Sequence, residues 1–173
     1  DDARGVSGIN RYRALLAHMA AHRRWTTPIF ADNFSPFQRM AIEIFEDSRV
    51  EFLAMREYSG LHHLFLALHP KPAEHACNPE TESSVRHRLA MMSRALLDMQ
   101  HGYQNPYIID FVHRFYQTIA EGQSSTQEMA DLAILFVAKT RRQSDQLPNV
   151  YFLDTEVDYR DDNRHMWRFY ENS

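Results

Sequence analysis

Apolar residues recur at helical spacing along most of this chain, most clearly between Ser35 and Leu61, SPFQRMAIEIFEDSRVEFLAMREYSGL. At about 100° per residue, Ile42, Leu53, Val50, Phe45, Phe52 and Ala41 share one broad side, which predicts a long amphipathic helix. Ser35 offers a capping oxygen, Pro36 suits the first helical position, and Gln38 completes a capping box. Gly60 is the expected left-handed stop. Glu43, Asp47 and Glu51 fall on the opposite side, whereas Glu46, Arg49 and Arg56 fall in the apolar sector beside Ile42 and Leu53. A charge buried without a partner is strongly destabilising. The pattern therefore predicts a structural ion-pair cluster of Glu46, Asp47, Arg49, Glu51 and Arg56 that organises the domain, with Glu57 close by. Contact with a partner is the rival reading of these charges.

Other segments repeat the amphipathic theme. Ile9 to Arg24 reads as a first helix capped by Ser7 or Asn10, with Leu15, Met19, Tyr12 and Leu16 on its apolar side. Trp25 to Asn33 is a connector broken by Pro28, leaving Phe30 and Phe34 available to pack. A short helix, LHHLFLALH, follows Gly60 and stops before Pro70. Asn78-Pro79-Glu80 announces the next, with Val85, Leu89, Met92 and Leu96 as its stripe. Asn105-Pro106 starts a helix that turns Ile108, Val112, Phe115 and Ile119 inward and ends at Gly122. Ser125-x-x-Glu128 opens a last one, running to about Gln143. From Asn149 onward no helical period is sustained. A short strand at Val150–Leu153 and a helix near Arg164–Tyr170 are the expectations there. The fold class predicted is all-α: a bundle-like domain of five to six helices over residues 1–148, then an irregular acidic and aromatic arm over 149–173.

Composition narrows the chemistry. A net charge of −4 argues against a nucleic-acid binder. No apolar run approaches the ~20 residues of a membrane span, and the single Cys77 suits a reducing compartment, so the expectation is a cytoplasmic protein. The start on Asp1 suggests a piece of something longer. The basic residues are nearly all Arg, with Lys71 and Lys139 the exceptions, which favours forked contacts with carboxylates. There is no glycine-rich phosphate loop, G-x-S-x-G, C-x-x-C or HExxH, so no enzyme signature and no cofactor is expected. Cys77, two residues from His75, reads as an inert loop thiol rather than a nucleophile.

The sharpest chemical candidate is a metal. His18 and His22, four apart, stack on one helical face as in zinc peptidases, and Glu46 lies 24 residues beyond His22. Met19 occupies the position of a peptidase general base, so such a site would be structural or relict. The plainer reading, and the one expected, is two histidines hydrogen-bonded to Glu46 and its neighbours with no ion. His62-His63 reads as packing and solvated surface. Tyr107, Phe111 and Tyr116 read as core or groove lining, and the pairs Arg23-Arg24 and Arg141-Arg142 suit helix C-termini. A metallohydrolase relative and a purely structural dimerisation module are the rivals from other classes.

AHMAAHRRW (17–25) together with FEDSRVEFLAMREYSGL (45–61) resembles the helical region of the CbbO/NorD family, von Willebrand factor A domain proteins that partner a MoxR-type AAA+ ATPase. TRRQSDQLP (140–148) and DTEVDYRDDNRHMW (154–167) resemble it too, closer to the rubisco-activase branch than to the nitric-oxide-reductase branch. Ser59-Gly60 departs from the Pro-Gly expected there. The D-x-S-x-S site of the A-type domain and its acidic linker do not occur in this chain. The resemblance implies a non-catalytic adaptor: the helical part docks on the ATPase hexamer, the missing domain grips rubisco, and ATP hydrolysis belongs to the partner. The same adaptor role toward nitric oxide reductase is the alternative. Tyr159, Arg160, Arg164 and Trp167, with the Arg-rich helix ends, are the expected interface residues.

Overall fold

A computed structural model describes residues 5–78, 82–122, 124–141, 157, 159–160 and 163–170. Among them the chain is all-α, with six helices: α1 (Gly8–Trp25), α2 (Pro36–Glu57), α3 (Leu61–Leu68), α4 (Ser84–Leu97), α5 (Pro106–Ala120) and α6 (Thr126–Thr140). None is long and apolar enough to cross a membrane. Two short strands, β1 (Ile29–Phe30) and β2 (Trp167–Arg168), pair in parallel, with Ile29 opposite Trp167 and Phe30 opposite Arg168. The expected strand at Val150–Leu153 lies outside the described residues. In place of the expected last helix there is a single 3₁₀ turn, Arg164–Met166, which delivers Trp167 into β2.

Most helix starts follow the caps. Ser7 and Ser125 accept from Asn10 N–H and Glu128 N–H, and Asn105 accepts from Tyr107 N–H and Ile108 N–H. Ser35 and Gln38 form the full reciprocal box. Two boundaries differ from expectation. Gly60 is not a left-handed stop: α2 ends at Glu57 with Tyr58 out of helical geometry, and Gly60, in right-handed geometry at φ −63°, precedes α3. Further on, α4 begins at Ser84, because Ser83 supplies the capping oxygen to Arg86 N–H. The left-handed termination does occur at Gly122, φ +73°.

α2 is the axis of the domain. It packs against α6, α4 and α1, so it is covered on several sides rather than one. Toward α5 and α6 the core is aromatic: Phe45 meets Phe136 at 5.9 Å between ring centroids and Phe111 and Phe115 at 6.4 Å. All four rings are fully buried, each contributing roughly 1.5–3 kcal/mol relative to exposure.

Toward α1 the interior is polar. α1 buries Ala14, His18, Ala21 and His22, the reverse of the side expected to be apolar. Ile9, Tyr12, Leu16 and Met19 are 69, 61, 46 and 40 % exposed. Ala21 packs against Val50 and Ala54 of α2, Ala14 packs with Phe65 and Leu68 of α3, and the two imidazoles have carboxylates to meet there. That pairing outweighs the burial of Leu16 and Met19.

Candidate functional site

Two ionic clusters are built on one stretch of α2, about 100° apart around the helix. The first joins Glu46 to Arg49, which are 0 and 2 % exposed. The Arg49 fork donates from Nε to Glu46 Oε1 at 2.6 Å and from Nη2 to Oε2 at 3.0 Å. Its remaining donors reach the Trp25 carbonyl at 2.7 Å and the Ser124 carbonyl at 3.4 Å. The hydroxyls of Thr26 and Thr126 both donate to Glu46 Oε2, and Thr126 in turn accepts from Thr27 N–H at 2.8 Å. One carboxylate and one guanidinium thus tie α2 to the end of α1 and the start of α6, with every charge opposed.

The second cluster lies one residue on, toward α1 and the C-terminal segment. Matching four-residue spacings bring it together: His18 and His22 on α1 face Asp47 and Glu51 on α2. His22 Nε2 lies 2.6 Å from Asp47 Oδ1, and His18 Nε2 lies 3.3 Å from the same oxygen. His18 Nδ1 is 2.9 Å from Glu51 Oε2. Arg160 donates from Nε to Glu51 Oε2 at 2.8 Å and from Nη1 to Ser93 Oγ at 3.0 Å. Tyr159 donates its hydroxyl proton to Glu51 Oε1 at 2.6 Å, stacks on Phe65, and lies 2.9 Å from His69 Nδ1. Asn163 Nδ2 donates to Asp47 Oδ2 at 3.4 Å, from a left-handed backbone at φ +60°. Asparagine tolerates that region better than most residues.

Burial and charge act against each other throughout this cluster. Burial alone would push the His18 imidazole down, but Asp47 and Glu51 raise it from 6.5 to about 9. Burial would push Glu51 up, but the Arg160 charge and then His18 bring it to about 2. Asp47 is held well below the usual carboxylate range by His18, His22 and Arg160, again against burial. His69 is pushed down to about 3 by burial and by the Arg160 charge, which keeps it neutral.

Several expected residues take other roles. Glu46 is not the carboxylate that meets the histidines; Asp47 is. Glu46 reaches them only through Thr26, whose hydroxyl lies 2.8 Å from His22 Nδ1. Arg56 is outside the cluster: it is exposed, with its guanidinium 5.5 Å from the Phe52 ring. Glu57 is also at the surface, paired with Arg24 at 2.6 Å. Tyr159 and Arg160 are interior anchors rather than interface residues. Trp167 turns inward too, donating from Nε1 to Glu43 Oε1 at 2.8 Å. Of the four expected there, Arg164 alone is exposed.

Sequence reasoning underrated Asp47 as a histidine partner and missed Asn163 and His69. The signal for Asp47 was in the chain: two acids spaced four apart on one helix and two histidines spaced four apart on another.

No family model, no curated protein and no solved structure matches this chain.

Proposed function

We propose that this chain is a non-catalytic helical adaptor that docks on the ring of a MoxR-type AAA+ ATPase and helps it remodel inhibited rubisco. The observation that carries the docking part is the outward apolar stripe of α1. Ile9, Tyr12, Leu16 and Met19 follow one another at helical spacing on the exposed side of the helix. The stripe borders a groove of about 710 Å³ whose lining includes Leu16, Met19, Arg23 and Pro28. A contiguous apolar surface of this kind marks an interaction site more often than chance exposure does. Arg13 and Arg23 are exposed on the same helix, so the partner surface expected is apolar with an acidic rim.

The ATPase and the client are named on the resemblance of residues 17–25 and 45–61. Nitric oxide reductase is the alternative client under the same role. ATP turnover belongs to the ring in this reading, and the interior charges of the adaptor hold its shape.

The test is co-elution of the full chain with a MoxR-type hexamer, with and without nucleotide. A complex weakened at least tenfold by Leu16→Asp, with the fold intact by circular dichroism, supports the reading. No complex in either nucleotide state overturns it, and a complex indifferent to Leu16→Asp and Met19→Asp removes α1 as the docking face.

A further inference from the structure

Hydrogen placement in the second cluster leads to an unexpected convergence. Thr26 gives its hydroxyl proton to Glu46, because a carboxylate can only accept, so His22 Nδ1 must carry the proton that meets the Thr26 oxygen. The Nε2 of neutral His22 is then a lone pair, and it faces Asp47 Oδ1. His18 repeats the pattern: Nδ1 is beside Glu51 Oε2, which leaves Nε2 as a lone pair facing the same Asp47 oxygen. With both imidazoles neutral, three acceptors would point at one another inside the protein, so a cation must lie among them.

The candidates for that cation are a proton and a metal ion. Charge alone admits either, since two carboxylates, Asp47 and Glu51, are opposed by the single guanidinium of Arg160. Geometry separates them. His18 is fully buried, yet neither of its ring nitrogens makes an aligned hydrogen bond despite the carboxylates nearby. Off-axis approach is what two ligands of a shared ion show, because each lone pair points at the ion and not at the other ligand. The 3.3 Å between His18 Nε2 and Asp47 Oδ1 also equals the edge of a tetrahedron with bonds of about 2.0–2.1 Å.

We propose that His18, His22 and Asp47, which offer one ligand atom each within 4.8 Å of one another, bind a tetrahedral transition-metal ion of the Zn²⁺ class through His18 Nε2, His22 Nε2 and Asp47 Oδ1. The surroundings are those of such a site. Thr26 sits behind the second ring nitrogen of His22 and fixes which nitrogen is free, as the outer partners of metal-bound histidines do, and Glu51 lies 2.9 Å from the second ring nitrogen of His18. Asn163 holds the other oxygen of Asp47. His22 lines the groove beside α1, which gives an ion its way in and a fourth ligand its place. The 2.6 Å between His22 and Asp47 is the distance of a shared proton. Metal entry displaces that proton and parts the pair by roughly 0.7 Å. The ion staples α1 to α2 and fixes the direction in which α1 presents its outer face. This site does not depend on the adaptor reading, and its test reads metal rather than partner.

The full chain, stripped with chelator and dialysed, is titrated with Zn²⁺ and separately with Co²⁺ at pH 7.5. One equivalent of Zn²⁺ per chain, a rise in thermal midpoint and a tetrahedral Co²⁺ spectrum are expected. His22→Gln, at the groove edge, should keep the stripped protein folded and abolish all three. Glu51→Gln should weaken binding by about 10- to 100-fold. His63→Ala controls for an exposed histidine and should change nothing. The proposal is overturned if wild-type protein takes up no Zn²⁺, or if His18→Gln and His22→Gln both bind as tightly as wild type.

Discussion

Glu46 and Asp47 are neighbours in sequence, and both are buried to within a few per cent, yet they enter clusters of different character. Around Glu46 the donors are a guanidinium and two hydroxyls, and each has an acceptor in line. Around Asp47 two imidazoles converge on one oxygen, and the ring of His18 has no aligned partner. The first cluster joins α2 to segments on either side, α1 and α6. The second recruits Tyr159, Arg160 and Asn163 from the far end of the chain. A closed set of donors and acceptors stabilises one geometry; a set whose acceptors face each other responds to whichever cation is supplied.

The largest expected effect breaks the closed cluster. Arg49→Ala leaves Glu46 buried without its counter-ion and should cost about 3–5 kcal/mol in denaturant unfolding. A midpoint equal to wild type would mean that Glu46 reaches solvent. Next comes Arg160→Met, which removes two donors to Glu51 while leaving His18 and Tyr159 in place. It should cost about 1.5–3 kcal/mol, the range for hydrogen bonds to charged groups. Tyr159→Phe, which removes a single hydroxyl from the same carboxylate, should cost about 1.5 kcal/mol, the low end of that range.

The clusters should also separate by pH, in chelator-treated protein. Glu51 lies at about 2 in the fold against an ordinary 4.5, so its contribution is complete above pH 4.5 and lost as pH falls toward 2. His18 lies at about 9 against 6.5, so its contribution is complete below pH 6.5 and lost as pH rises toward 9. Stability from this cluster should therefore be greatest between about pH 4.5 and 6.5. His18→Gln should remove the alkaline loss, measured as urea midpoint against pH; an unchanged alkaline limb would place its origin elsewhere.

Much of the first cluster was legible in the chain, because Glu46 and Arg49 stand three apart among Ile42, Phe45 and Leu53 and the helix carries its own cap. Helix number and most starts were legible for the same reason: Ser35-Pro36, Asn105-Pro106 and Ser125-x-x-Glu128 are local signals. The second cluster was legible only in part: Asp47 and Glu51 were expected among the ion pairs, but a single-face reading of α2 sends them outward and away from the histidines. They are buried because α1 and the C-terminal segment cover that side, which is tertiary information. The same contact reverses α1: periodicity counts Leu16 and Met19 as core, but two imidazoles with carboxylate partners and two alanines make the better-fitting face. Tyr159 and Trp167 looked like anchors for another protein for a related reason. Large aromatic side chains beside arginine suit an interface and an interior closure equally, and only the tertiary neighbours distinguish them: Phe65 and Glu51 for Tyr159, β1 and Glu43 for Trp167.

The most direct test of the account is amide hydrogen exchange of the full chain, alone and mixed with a MoxR-type hexamer and nucleotide. The account predicts new protection concentrated on α1 from Ile9 to Arg23, with the amides around Glu46 and Asp47 already slow in the free protein and unchanged by the partner. New protection confined to other helices, or none at all, would contradict it.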